Sequence, residues 1–158
     1  LAERLPDNAR VLELGAYCGY SSIMIASTLG PGSQNTSVYI DSNAVEASRS
    51  NVEVAGLSAQ VTFIRGASTK VIATLQGSFD LVFLDHWKDL YKQDLQLIEE
   101  RGLVGPGSIV VADIVGKIFA PEAYLDYVRN CGHYDCEHRP ASIEYTAGPD
   151  AVEISVYR

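Results

Sequence analysis

Val11-Leu-Glu-Leu-Gly-Ala-Tyr-Cys-Gly-Tyr-Ser21 decides the fold. Val11 to Leu14 is a short apolar run interrupted by one carboxylate. It stops at a glycine and is followed by a second glycine and a helical pattern. A buried strand that ends in a tight glycine loop and feeds a helix opens a unit of a parallel α/β sheet. Asp85-His-Trp-Lys-Asp-Leu-Tyr91 follows another apolar run, Phe79 to Leu84, and releases a carboxylate, an indole and an ammonium together. In open α/β sheets ligands bind outside the carboxyl ends of the strands, so the two blocks are expected to share one crevice.

The same alternation continues along the chain. Strands are expected at Val11–Leu14, Ser37–Ile40, Val61–Ile64, Phe79–Leu84 and Ile109–Ala112. Helices are expected over Ser21–Leu29, Ala44–Ala55, Ser68 to about Leu75, Leu90–Arg101 and Pro121–Arg129. Gly56 and the Gly30-Pro31-Gly32 turn supply stop signals. Two late strands, near Tyr134–His138 and Val152–Tyr157, have no helix between them and read as an antiparallel hairpin. The fold class is therefore α/β, with a doubly wound, mostly parallel, seven-stranded sheet closed by that hairpin. The 158 residues suit a single domain, with no repeat, low-complexity tract or linker.

Composition narrows the partners. A formal net charge of -8 argues against nucleic acid, which calls for a basic stripe. Three cysteines, Cys18, Cys131 and Cys136, form no even framework and no zinc-finger spacing, which points to a reducing, cytoplasmic setting. No apolar stretch reaches the length of a membrane span, so no membrane partner is expected. No signal peptide is legible, although the chain opens at Leu1 and not at Met. A monomer is expected.

Gly15 and Gly19 form a G-x-x-x-G loop, not the G-x-G-x-x-G of a dinucleotide site. Glu13, just before it, would repel a diphosphate and would suit a ligand that carries an ammonium or a sulfonium. Asp41 ends the second strand, where a carboxylate commonly accepts from ribose hydroxyls, and Gly66-Ala67-Ser68 would border an adenine. Each has a plainer reading: glycine loops after strands are common, and an Asp at a strand end is often a helix cap. On the other flank, Asp85 and Asp113 end neighbouring strands and can converge on a hard cation such as Mg2+. Lys88 lies three residues after Asp85 and is the candidate base, Trp87 offers a flat apolar wall, and Glu144 is a further acceptor.

These residues resemble the catechol O-methyltransferase family, small S-adenosylmethionine-dependent enzymes with the class I, Rossmann-like methyltransferase fold. The likeness rests on Leu12–Ser21 and on Val82-Phe-Leu-Asp-His-Trp-Lys-Asp89, and runs from about Arg10 to Tyr157. It implies that Glu13, Gly15, Tyr17 and Ser21 hold the amino-acid end of S-adenosylmethionine and Asp41 its ribose. It implies that Ser68, His86 and Trp87 line the adenine, and that Asp85 and Asp113 bind Mg2+. Lys88 would be the general base and Glu144 would hold the second hydroxyl of a small-molecule catechol. Departures are Ile114, where the family has Asn after the second metal-binding Asp, Thr69 in place of Gln, and Ile118-Phe119 in place of a loop with proline. The family also has an N-terminal helical cover, of which almost nothing precedes Leu1, so either a fragment or an unusually open cleft is expected.

Two other readings compete. A non-catalytic S-adenosylmethionine-binding interaction module would fit Ile114 and the missing cover, but not the retention of Asp85, Lys88, Asp113 and Glu144 together. A nicotinamide-dependent oxidoreductase would need the absent G-x-G-x-x-G. Another vicinal diphenol, such as a caffeoyl compound, is an alternative acceptor.

Overall fold

The computed structural model describes residues 2–117, 120–142 and 148–158. After a 3-10 turn at Ala2–Arg4, strand β1 (Arg10–Leu14) leads into α1 (Tyr20–Thr28). There follow β2 (Gln34–Tyr39), α2 (Ser42–Val54), β3 (Val61–Arg65), α3 (Ser68–Ile72) and β4 (Leu81–Leu84). A 3-10 turn at Lys88–Leu90 enters α4 (Tyr91–Glu100), and β5 (Ile109–Ala112), α5 (Glu122–Asn130), β6 (Tyr134–Ser142) and β7 (Pro149–Tyr157) complete the chain.

The seven strands form one sheet in the order β3-β2-β1-β4-β5-β7-β6. β1 to β5 are parallel, and β7 runs antiparallel to both β5 and β6. The chain winds outward from β1 through β2 to β3, then returns to the other side of β1 for β4 and β5. The reversal leaves a crevice at the carboxyl ends of β1 and β4, where a ligand can enter between diverging loops.

Strand alternation divides the core between the two faces of the sheet. Leu12, Leu14, Val82, Leu84 and Val110 face Leu95 and Ile98 of α4 and Leu125 and Val128 of α5. Val11, Leu81, Ile109 and Val111 face the opposite way, with Ile25 of α1 and Leu29 just after it. The central strands are covered on both sides, which is why they read as continuous apolar runs. Among the described residues, no helix is long and apolar enough to cross a membrane.

The expected elements form with shifted ends. β4 begins at Leu81 because Phe79 and Asp80 are spent on loop bonds, Phe79 N–H to Leu103 O and Asp80 N–H to Arg10 O. α3 stops at Ile72, where the chain tightens into turns through Leu75. The hairpin strands are longer than their composition suggests. β6 is exposed at every position but Tyr134, so it has no apolar period, and its length is set by continuous pairing with β7.

One buried charge pins this hairpin to α5. Glu153 of β7 is fully buried. Arg129 donates to it through Nε at 2.7 Å and Nη2 at 2.6 Å, and His138 Nδ1 lies 2.8 Å away. Burial disfavours the carboxylate, but these bonds outweigh it and hold the group below its usual range. Arg129→Ala strands that charge. The expected loss is about 2 kcal/mol in urea denaturation, below the range for a fully buried pair because the Arg129 side chain is 41% exposed.

Candidate active site

The glycine loop sits where it does because only glycine fits. A Cβ on Gly15, which has φ 117°, would fall 2.2 Å from the Asp85 carbonyl oxygen, so the end of β1 lies directly against the end of β4. Gly19, with φ 84°, caps α1 in the left-handed region. From α2, Ser48 Oγ donates to Tyr17 O at 3.1 Å and Asn51 Nδ2 donates to Cys18 O at 2.9 Å. Sequence reasoning missed these two residues, because a polar side chain on a helix carries no mark of the loop it will meet. Tyr17 itself has φ 44° and is 70% exposed.

Glu13 is fully buried beneath this loop. Ser21 and Ser22, in the first turns of α1, donate to its two oxygens, and Asn35 Nδ2 of β2 adds a bond at 3.2 Å. Ser21 therefore stands between Glu13 and the cleft. A cavity of about 630 Å³ opens above it, lined by Gly15, Tyr17, Ser21, Asp85, Asp113 and Ile114 at the strand ends. It continues over an apolar floor of Met24, Leu29, Leu81, Phe83 and Val111. Ala141, Ser142 and Asp150 of the hairpin form the far wall. Glu144, Ile118 and Phe119 lie outside the described residues.

Asp85 and Asp113 follow paired residues, Leu84 and Ala112, of adjacent strands. Lys88 Nζ reaches both loops, 3.3 Å from Asp85 Oδ1 and 3.2 Å from the Asp113 carbonyl oxygen. It also donates to the Tyr91 hydroxyl at 2.6 Å, which in turn donates to Leu84 O at 2.8 Å. Tyr91, another residue that the sequence did not single out, is thus the peg that aims Lys88. Its burial pushes the phenol far up, so it stays protonated. Among the described residues, no group of three or more His, Cys, Asp or Glu is placed to hold a metal. Two carboxylates are what these strand ends provide, and Ile114 adds no oxygen.

Burial, then repulsion from Asp113 and Glu13, raises the Asp85 carboxyl from 3.8 to about 6 against the pull of Lys88. Between those values the folded chain keeps a proton that the unfolded chain has released, so stability falls as pH rises through that window. Asp85→Asn removes the effect. Without added metal, the variant is expected to melt above the parent at pH 7 and with it at pH 4, as read by circular dichroism.

Ile114 carries a second cost. Its φ is 53°, a left-handed conformation that is an outlier for a β-branched residue. Asn tolerates that region far better. Ile114→Asn is expected to stabilise the fold by about 0.5–1 kcal/mol in urea denaturation.

The remaining residues lie toward the β2 and β3 flank. Asp41 is exposed and its Oδ1 accepts from Ala44 N–H at 2.8 Å, so it caps α2. Trp87 is 72% exposed, with Nε1 donating to Asp89 at 3.2 Å. His86, partly buried, meets Asp94 of α4, which also receives Thr69 Oγ1 at 2.8 Å and the Ser68 hydroxyl.

Comparison with known proteins agrees with this geometry. The methyltransferase domain family matches residues 12–114. Catechol O-methyltransferase from Sus scrofa is 39% identical over 153 residues, 94% of this chain and 82% of that protein. The Bos taurus catechol O-methyltransferase is likewise 39% identical, and the chain spans 56% of its length. Among solved structures, cofactor-bound Rv0187 from MTB superposes with a TM-score of 0.87 at 25% identity, covering 96% of this chain and 74% of that one. The Bacillus cereus O-methyltransferase in complex with SAH gives 0.84 at 20% identity, covering 96% and 76%. Sheet order and strand-end cleft define a class I methyltransferase. Within that class, the chain belongs to the catechol O-methyltransferase family.

Proposed function

We propose that this chain transfers a methyl group from S-adenosylmethionine to one hydroxyl of a catechol with the help of Mg2+. The observation that carries the reading is the meeting of Asp85, Lys88 and Asp113 at adjacent strand ends beside the Gly15 loop. Relatives named catechol O-methyltransferase, and the fold shared with an O-methyltransferase in complex with SAH, support it.

The residues fit both groups. Gly15, Tyr17 and Ser21 line the cavity, and the exposed Trp87 face can cover a nucleobase. Glu13, Gly15, Tyr17 and Ser21 would hold the amino-acid end, Asp41 the ribose, and Ser68, His86 and Trp87 the adenine. Burial first, and then repulsion from Asp113 and Glu13, raises the Asp85 carboxyl, and a divalent cation would relieve that repulsion. Asp85 and Asp113 would hold Mg2+, with water where Ile114 gives no oxygen. When bound, S-adenosylmethionine supplies the methyl group and leaves as a neutral thioether, and Mg2+ supplies charge that acidifies the catechol hydroxyls.

The chain itself aligns and deprotonates. Lys88, in its neutral form, takes up the hydroxyl proton at Nζ, held there by the Tyr91 hydroxyl and the Asp113 carbonyl. Glu144 would accept from the second hydroxyl. The apolar floor of Leu81, Phe83 and Val111 supports an aromatic ring and excludes water. Holding two reactants in line is worth roughly 7–11 kcal/mol in well-oriented cases. The residues named all come from one chain, so a monomer suffices. Three free thiols suit a reducing cytoplasm. The placement of Lys88 between both carboxylate strand ends weighs against a non-catalytic binding module.

Titration of S-adenosylmethionine, then of a dinitrocatechol with and without Mg2+, tests the reading. Catechol binding that requires both cofactor and metal is expected, and no cofactor binding would overturn it. Lys88→Ala should keep cofactor affinity and lower turnover about 10²–10⁴-fold; parallel loss of both would remove Lys88 as the base. Ile114→Asn should tighten Mg2+. An unchanged metal dependence of turnover would place residue 114 away from the metal.

A further inference from the structure

Two thiols outside the cleft converge on one oxygen atom. Cys131 caps the carboxyl end of α5, and its Sγ lies 3.9 Å from the Val128 carbonyl oxygen. Cys136 stands on β6, opposite Ser155 of β7. Its Sγ lies 3.4 Å from the same Val128 oxygen and 3.4 Å from Ser155 Oγ. The two sulfurs are therefore separated by no more than the sum of their distances to that oxygen. The last carbonyls of a helix have no partner within it, and here both thiols serve one of them.

The backbone on either side is fixed. Cys131 N–H donates to Tyr127 O, and Cys136 lies within the continuous pairing of β6 with β7. Gly132, with φ 83°, turns the chain out of α5 toward β6. Cys131 is partly buried against the core, whereas Cys136 is exposed and borders a further cavity of about 420 Å³ with Arg129, His138 and Arg158. A reagent from solvent meets Cys136 first, and Cys131 stands behind it. Burial pushes the Cys136 thiol up, so at neutral pH it donates to Val128 O and is not a standing thiolate. What marks the place is the pairing of two sulfurs, not one activated sulfur. Cys18 follows β1, with β4, β5 and β7 between it and β6, roughly 19 Å away at the usual strand spacing. It is no partner for either thiol within one molecule.

We propose that Cys131 and Cys136 form a dithiol–disulfide site, separate from the methyl-transfer cleft, that low-molecular-weight disulfides oxidise. The Cys136 thiolate attacks one sulfur of the oxidant, a mixed disulfide forms on Cys136 and one thiolate leaves. The Cys131 thiolate then attacks the Cys136 sulfur and expels the second. The chain gives up two thiol protons and two electrons, and the oxidant becomes two thiols. Sulfurs that share an acceptor need only turn about their side-chain bonds to reach the bonded separation of about 2 Å. In the closed form the end of α5 is tied covalently to β6, and Val128 O loses both thiol donors. The site does not depend on the S-adenosylmethionine reading.

The test exposes the whole chain to mixtures of oxidised and reduced glutathione, then alkylates the remaining thiols and maps them by mass spectrometry. The tryptic peptide that starts at Asn130 should escape alkylation at both thiols and be lighter than its reduced form by two hydrogens, with Cys18 taking no part. Cys131→Ser cannot resolve the mixed disulfide and should retain glutathione on Cys136 at least about 10-fold more than the parent. Cys131→Ala repeats the comparison if the serine variant does not fold, as judged by circular dichroism. Equal retention of glutathione by parent and variant would overturn the proposal. So would bonds formed only between chains. The equilibrium for closure should favour the disulfide at least about 10-fold more in the folded chain than in urea. Equal or weaker closure when folded would show that nearness in sequence, and not the fold, pairs the thiols, and would overturn the site.

Discussion

The site depends first on the way Glu13 is buried. Its carboxylate has no exposed surface, and among the described residues it is held only by the neutral donors Ser21, Ser22 and Asn35. A charge in that position would be expensive if any of the three moved. The network therefore locks β1 to the first turns of α1 and to β2, and fixes the Gly15–Gly19 loop between them. With that loop set, the lack of a side chain at Gly15 lets β4 end close beside it, and Asp85 and Lys88 arrive at the mouth of the cleft.

Around this anchor, local rules are broken at the cavity. Among the described residues, two that are not glycine, Tyr17 and Ile114, take left-handed backbone, and both line the cavity. Asp85 is kept from ionising easily by burial and by other acids. Strain and unrelieved charge persist only where the surrounding structure over-determines them, and here the buried strands and the Tyr91 peg supply that rigidity. The hairpin of β6 and β7 extends the same frame, bound to α5 through Arg129 and Glu153, and brings Asp150 and Ser142 to the far wall.

The charged residues fall into two kinds. Asp85, Lys88 and Asp113 stand at the ends of apolar strands and are announced by that position alone. Glu13, Asp94 and Glu153 are fully buried, and each is satisfied by partners from elsewhere in the chain, up to 25 residues away for Asp94 and 24 for Glu153. The first kind stands at the rim of the cleft and the second ties distant elements of the fold together.

The sequence by itself determined the sheet, because strands buried on both faces must be continuous in apolar residues and the helices between them must end in recognisable stops. It also placed Asp85, Lys88 and Asp113 at one rim, because parallel neighbours end on the same side. The tertiary structure alone decided that Ser21 screens Glu13, that Asp41 caps α2, that Ser48 and Asn51 hold the glycine loop, and that Asp94 meets His86. It also decided the left-handed backbone at Ile114, which nothing in an isoleucine announces. Periodicity is a local property that a chain displays one turn or one pleat at a time. The pairing of buried polar groups is settled only when distant segments are brought together and each must find a partner away from water.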